Sequence, residues 1–260
     1  MNTTTRPLYS IITITKDNLD GLKATEASIR TLNTDDYEWV IIDGASTDGT
    51  VEYLKTLNGV TYISEPDGGI YDAMNKGIER MTGSHMLFLN AGDQLAHPEC
   101  LEIINEYIAR GAVFIYGDAL EQDLDGTIHE KIAKPYTNIS KGLFTHHQAM
   151  IYAKSELRYD LQYKIASDFE FTYRFLRDIV ALDLPIYYIP QPLCIFEGGG
   201  VSQTNAKLGR QEQYRARQTH NMQGAKIIYV RQSAAWMFRR FFPNAFWKLK
   251  GLISKSHAPC

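Results

Sequence analysis

The chain has 260 residues and a mass of 29.6 kDa, with 44% hydrophobic and 22% charged residues. These are globular proportions at a length that can bury a core without staples, which excludes a disordered chain and a disulfide scaffold. The net charge of −3 divides unevenly: residues 1–200 carry 16 Lys and Arg against 29 Asp and Glu, whereas residues 201–260 carry 11 basic residues and one acid, Glu212. A basic end on an acidic body points to an anionic partner for that end. Cys100, Cys194 and Cys260 lie far apart without a CxxC pair, so neither a zinc site nor a disulfide framework is indicated and a reducing compartment is expected. No apolar run reaches the roughly 18–20 residues of a membrane span, and the first residues carry no signal-peptide pattern, so the expected location is cytoplasmic.

The first half alternates strand and helix signals. Tyr9–Thr15 is short and β-branched; Leu19–Leu32 has helical spacing at Leu22, Ile29 and Leu32; Trp39–Ile42 is a buried run ending at Asp43. Thr50–Leu57 and Ile70–Met81 read as helices, Val60–Ile63 and Met86–Leu89 as strands, and Pro98–Ala109 as a helix opening on proline. Such alternation predicts an α/β fold with a Rossmann-like, mostly parallel sheet and flanking helices, and ligands bind beyond the carboxyl ends of such strands. Those ends read Thr15-Lys16-Asp17-Asn18, Asp43-Gly44-Ala45-Ser46, Glu65-Pro66-Asp67-Gly68-Gly69 and Asn90-Ala91-Gly92-Asp93. Turns favour these residue types anyway, but four such ends in succession argue for a site.

From Val113 the pattern changes. Val113–Tyr116, Ile128–Ile132, Ala149–Tyr152 and Ile186–Ile189 read as strands and Asp168–Leu176 as a helix. A glycine-rich run spans Phe196 to Ser202, and the last sixty residues read as helical, with breaks at Gly224 and Pro243. No GxGxxG follows the first strand and no GxxxxGKS/T is present, which weakens a dehydrogenase or ATPase reading. Asp93, just past an apolar strand, reads two ways: a ligand for Mg²⁺ or Mn²⁺ shared with a diphosphate, or a turn aspartate. Asp168 likewise reads as a general base or as a helix cap. His146-His147-Gln148, between a loop and a strand, reads as site lining or as ordinary packing.

The run Ile41-Ile42-Asp43-Gly44-Ala45-Ser46-Thr47-Asp48-Gly49-Thr50 resembles the IDGxSxDGT segment of family 2 glycosyltransferases. Glu65–Ile78 and Phe88–Asp93 follow at that family's spacing, and the likeness covers most of residues 8–205. The later runs His146–Ala149, Ile165–Glu170 and Gly199–Ser202 resemble small bacterial exopolysaccharide enzymes of the colanic-acid type. The resemblance implies a GT-A fold and an inverting transfer of sugar from a UDP- or GDP-sugar, with Mn²⁺ or Mg²⁺. It implies that Asp168 is the catalytic base; that Thr13, Thr15, Asp43, Asp67, Asp72 and Asn75 bind the nucleotide; that Asp93, with Asn90, holds the metal; and that Asn90, His147, Gln148 and Glu170 line the donor and acceptor sites. The chain departs from the family pattern in three places: Asn90 stands for the first acid of the metal motif, Gly92 for an acid before Asp93, and Gly44 for the second acid of the DDxS version.

Residues 1–205 are expected to form the transferase domain (1–112 for nucleotide sugar, 113–205 for acceptor) and 206–260 a basic amphipathic tail. In the tail, Trp236, Met237, Phe238, Arg239, Arg240, Phe241, Phe242, Phe246, Trp247, Lys248, Leu249 and Lys250 mix aromatic and basic character at helical spacing. That suits an anionic leaflet, or an ordinary packing helix. With the resemblance it implies a peripheral enzyme on the cytoplasmic face of the inner membrane, acting on a polyprenyl-diphosphate-linked glycan in exopolysaccharide, capsule or O-antigen synthesis; no nucleic-acid module is present. The competing readings are a nucleotide- or sugar-binding protein without activity and a metal-dependent nucleotidyl- or phosphate-processing enzyme.

Overall fold

In a computed structural model the described residues are 6–242, without the side chains of Arg239 and Arg240. The expected interfacial residues Phe246, Trp247, Lys248, Leu249 and Lys250 lie outside the described residues. β1 (Tyr9–Thr15) sits inside a parallel quartet with β2 (Tyr37–Asp43), β3 (Val60–Ser64) and β4 (His85–Phe88), in the order β3-β2-β1-β4. Its register pairs Thr15 with Asp43, and Asp43 pairs with Ser64, so three strands end level with one another. α1 (Leu19–Ile29), α2 (Thr50–Leu54) and α3 (Ile70–Arg80) make the crossovers. The period-2 alternation of the strands feeds two cores. Ile11, Trp39 and Leu87 pack with α1 and α2 on one face, while Ile12, Met86 and Phe88 pack with α3 on the other. α1 starts where Asn18 caps it, its side chain accepting from the Gly21 N–H. It ends at Ile29, short of the expected Leu32, in a turn closed by Thr31 N to Ser28 O.

The second half corrects the expectation of a mostly parallel sheet. After β5 (Gln94–Leu95) and α4 (Cys100–Ile108) come β6 (Phe114–Gln122), β7 (Ile128–Lys131), β8 (Met150–Ala153), α5 (Ser167–Ala181) and β9 (Ile186–Glu197). The whole order is β3-β2-β1-β4-β8-β6-β9-β5, with β7 on β6. β8 runs antiparallel to β4 and β6, β7 to β6, and β5 to β9, so the sheet is mixed. The β6–β7 connection is too short for a parallel crossover, and Gly126, at φ +84°, closes it as a hairpin. β9 runs eight residues beyond the expected end at Ile189, across Pro190 and Pro192. The ladder absorbs them through register shifts at Gly117–Ala119. α6 (Val201–Thr204), α7 (Ala206–Thr219) and α8 (Ala225–Phe241) complete the chain, and α7 packs on α5 and α8.

Candidate active site

A cavity of about 1220 Å³ opens beyond the carboxyl ends of the parallel strands. Its floor includes Thr15, at the end of β1, and Asn90, just past β4. Here the strand order reverses, β2 and β3 lying on one side of β1 and β4 on the other, and such a switch point is where open α/β sheets bind ligands. The Thr15 hydroxyl and Asn90 Oδ1 are buried without a hydrogen-bond partner. Unsatisfied buried oxygens are costly, and at a cavity wall they are open to a partner from the cavity.

The 90–93 turn is held from α1: Thr25 Oγ1 donates to Asp93 O (2.7 Å) and accepts from Gly92 N (3.0 Å), and Asn18 Nδ2 donates to Ala91 O (3.1 Å). Asp93 is buried on this turn, its carboxylate accepting from Gln148 Nε2 at 2.7 Å and from the Glu197 N–H at 3.0 Å. Burial pushes the Asp93 carboxyl up to about 7, the Glu197 charge adds to that, and the two hydrogen bonds pull the other way.

Asp168 lies in the first turn of α5 and lines the same cavity. Burial raises its carboxyl to about 6; the hydrogen bond from the Phe169 N–H and the nearby Tyr71 side chain oppose the rise and the Glu212 charge adds to it. His147 Nε2 meets the Tyr159 hydroxyl at 2.8 Å, and the ring stacks on Phe88. Burial lowers the His147 pKa to about 3, so this wall of the cavity is neutral near pH 7.

Thr15, Asp67, Asn90, Asp93, His147, Gln148 and Asp168 therefore come together at one cavity. The other expected site residues do not reach its wall. Thr13 spends its hydroxyl between Leu89 O and Trp39 Nε1. Asp43 is fully buried and takes Ser46 N, Ser46 Oγ and Ser64 Oγ, tying the ends of β2 and β3 together. Asn75 pairs both ways with the backbone of Tyr159. Asp72 accepts from Gly68 N and shapes the loop that carries Asp67. Glu170 is two helical residues beyond Asp168 and so faces away from it, toward Arg174 Nε (2.7 Å) and His220 Nε2 (2.8 Å).

A sequence model of the family described as "Glycosyl transferase family 2" matches residues 10–180. The chain is 34% identical over 211 residues to an uncharacterized glycosyltransferase of Mycobacterium tuberculosis, covering 76% of this chain and 78% of the relative. It is 30% identical over 189 residues to a PGL/p-HBAD biosynthesis glycosyltransferase of Mycobacterium bovis, covering 65% and 69%. The chain belongs to family 2 of the glycosyltransferases. Two solved structures share its GT-A fold. One is S. aureus TarS 1–349 in complex with UDP-GlcNAc, with a TM-score of 0.64 at 16% identity over 80% of this chain and 64% of that one. The other is the mannosyltransferase PcManGT of Pyrobaculum calidifontis in complex with GDP-Man and Mn2+, with a TM-score of 0.61 at 15% identity over 98% and 82%.

Two of this glycosyltransferase's departures from the family pattern have a spatial counterpart. A Cβ on Gly92 would stand 2.0 Å from Glu197 Oε2, so the carboxylate of Glu197, at the end of β9, occupies the space of the missing acid. A Cβ on Gly44 would stand 2.5 Å from Asp67 Oδ2 in the same way. Among the described residues no three His, Cys, Asp or Glu side chains converge as a metal cage. Asn90 Oδ1, Asp93 and Glu197 still give a sparse set of hard oxygens at the cavity. They fit Mg²⁺ or Mn²⁺ drawing its other ligands from diphosphate and water.

Sequence reasoning missed Glu197, whose pairing with Asp93 comes from residues far apart in the chain. It also missed the cluster in which Glu121 meets His146 (2.6 Å) and Lys131 (3.2 Å) while His146 stacks on Phe196. Gly92→Ala should displace Glu197 and melt lower than Gly126→Ala. Both glycines have positive φ (+105° and +84°), but a Cβ at Gly126 meets nothing. A left-handed backbone costs a non-glycine residue about 1–2 kcal/mol at such positions, and the displacement of Glu197 is added at Gly92 alone. Equal melting temperatures would mean that Glu197 moves aside freely.

Proposed function

We propose that this glycosyltransferase moves a sugar with inversion from a nucleoside-diphosphate sugar to a glycan hydroxyl on a lipid carrier, in the assembly of a cell-surface polysaccharide. The supporting observation is that Asp168 shares one cavity with the Asn90–Asp93 turn. A single displacement needs a base at the acceptor hydroxyl and charge stabilisation at the departing diphosphate. Asp168 takes the proton of the attacking hydroxyl as its oxygen bonds to the anomeric carbon and the bond to the diphosphate breaks. Thr15 and Asn90 orient the donor. The divalent cation, when bound by Asp93, Asn90 and Glu197, supplies positive charge beside the diphosphate. TarS with UDP-GlcNAc and PcManGT with GDP-Man support both UDP- and GDP-sugars as candidate donors on this fold.

A panel of UDP- and GDP-sugars with and without Mn²⁺, read by thermal shift, identifies the donor. Saturation at 100 times Kd adds about 2.7 kcal/mol and raises Tm by several degrees. Product analysis then gives nucleoside diphosphate plus a glycoside; release of monophosphate or pyrophosphate would instead support a nucleotidyl- or phosphate-processing enzyme.

The same proposal places the enzyme on an anionic membrane surface through α8. Among the described residues no helix is long and apolar enough to cross a membrane. α8 turns Gln232 and Trp236 inward, to Lys141 O (2.9 Å) and the Arg210 guanidinium (4.7 Å from the ring). Ile227, Val230, Met237 and Phe241 form an outward stripe, 66%, 54%, 49% and 68% exposed, in the basic segment. Apolar insertion and Lys/Arg attraction add at such a surface. Sedimentation with anionic vesicles should be lost in an Ile227→Asp, Val230→Asp, Phe241→Asp variant and weakened by salt for the wild type. Equal sedimentation of both proteins would assign the stripe to another contact.

A further inference from the structure

Glu212 is the one acid among residues 201–260, where the surrounding charge is positive. It is not a solvated surface group, being 5% exposed. Its Oε1 accepts from the Lys164 N–H at 2.8 Å, and its Oε2 from the Ile165 and Ala166 N–H groups at 2.7 and 3.1 Å. Three consecutive backbone donors closing on one carboxylate form a nest, and charge-assisted hydrogen bonds of this kind are the strong ones. The nest is the turn that feeds α5, whose own N-cap, Ala166, offers no side chain to the helix. Ser167 and Asp168 follow directly.

α7 holds this turn at further points. Gly209, one helical turn before Glu212, lets α7 come so close that a Cβ there would stand 3.1 Å from Ile165 Cγ2. Arg215 donates to Gln162 O at 2.7 Å, and the guanidinium of Arg217 lies 5.0 Å from the ring centre of Phe169, the neighbour of Asp168. From the opposite side the Tyr71 hydroxyl donates to Ile165 O at 2.8 Å, so residue 165 is gripped at both its N–H and its C=O. The segment matched by the family model ends at residue 180, and α7 lies beyond it.

We propose that Glu212 is a positioning residue for Asp168: by organising the 164–166 turn from α7, it fixes where α5 begins and where the Asp168 carboxylate stands in the cavity. This rests on the reading of Asp168 as the base. The charged and titratable groups that bear on Asp168 are Tyr71 from α3, Tyr152 from β8, Tyr159 from the loop before α5 and Glu212 from α7. The last adds negative charge, so its loss should ease the ionisation of Asp168.

The test is Glu212→Gln in the full chain, a change that keeps size and one acceptor oxygen but removes the charge and half of the nest. It should lower kcat about 10- to 100-fold, as expected for a misplaced catalytic group, with donor KM within about twofold of the wild type. The acid limb of the kcat–pH profile should move to lower pH, which packing alone would not cause. Amide hydrogen exchange at residues 164–166 should be slow in the wild type and faster in the variant. Wild-type kcat and pH profile in Glu212→Gln, beside an inactive Asp168→Asn, would overturn the positioning role and leave the base in place. Full activity in Asp168→Asn would instead remove the base, and this inference with it. Unprotected 164–166 amides in the wild type would overturn the proposal without any variant having to fold.

Discussion

Asp168→Asn is expected to bind the nucleotide sugar as the wild type does and to transfer the sugar about 10²–10⁴-fold more slowly, the range for a positioned general base. Asparagine keeps the side-chain oxygen that accepts from the Phe169 N–H at 2.7 Å but cannot take a proton from an attacking hydroxyl. In the wild type only the ionised carboxylate can do so, and the folded protein raises that group to about 6, chiefly by burial. Wild-type kcat should therefore fall as pH drops through about 6. Stability runs the other way. A carboxyl whose pKa is higher folded than unfolded favours the fold when protonated, and that contribution is lost as pH rises through the folded value. At pH 8 Asp168→Asn should thus melt no lower than the wild type. Near-normal turnover of the variant would sink the assignment, and a melting temperature well below the wild type's at pH 8 would show a structural role instead.

Asp93→Ala is expected to abolish Mn²⁺-dependent binding of nucleoside diphosphate and to destabilise the fold. The carboxylate takes Gln148 Nε2 and the Glu197 N–H in a buried position, so its removal leaves two donors unpaired, at about 1–3 kcal/mol each. Calorimetric titration of UDP and GDP with and without Mn²⁺, alongside thermal melting, reads both effects. Unchanged Mn²⁺-dependent affinity in a folded variant would remove Asp93 from the metal site. Asp93→Asn is not a neutral control, because its amide would present a donor to Gln148 or to Glu197 N.

The parallel quartet was legible because its signals are local: β-branched runs, helical spacing at Met74 and Ile78, and polar ends on every strand. The second half was less so. β5 is only two residues long, and the direction of β8 is set by tertiary pairing with β4 and β6. The strand ends located the cavity, but which polar residues face it depends on hydrogen bonds that spacing does not encode. Asp43 ends β2 and Asp67 follows β3; the first is used up by two serines and the second lines the wall. Thr13 and Thr15 lie on the same face of β1, but only Thr15 reaches the end of the strand. The roles of Glu197 and Glu212 are long-range, across 104 residues to Asp93 and 46–48 to the α5 turn, and no window of sequence contains either pairing.

Glu197 standing in the space of a side chain at position 92 couples the two positions physically. An acid introduced at 92 while Glu197 remains would crowd two carboxylates into one place, and loss of Glu197 while Gly92 remains would leave that place without one. Each single change is therefore expected to cost more alone than in combination with the other, a coupling that a double-mutant cycle reads.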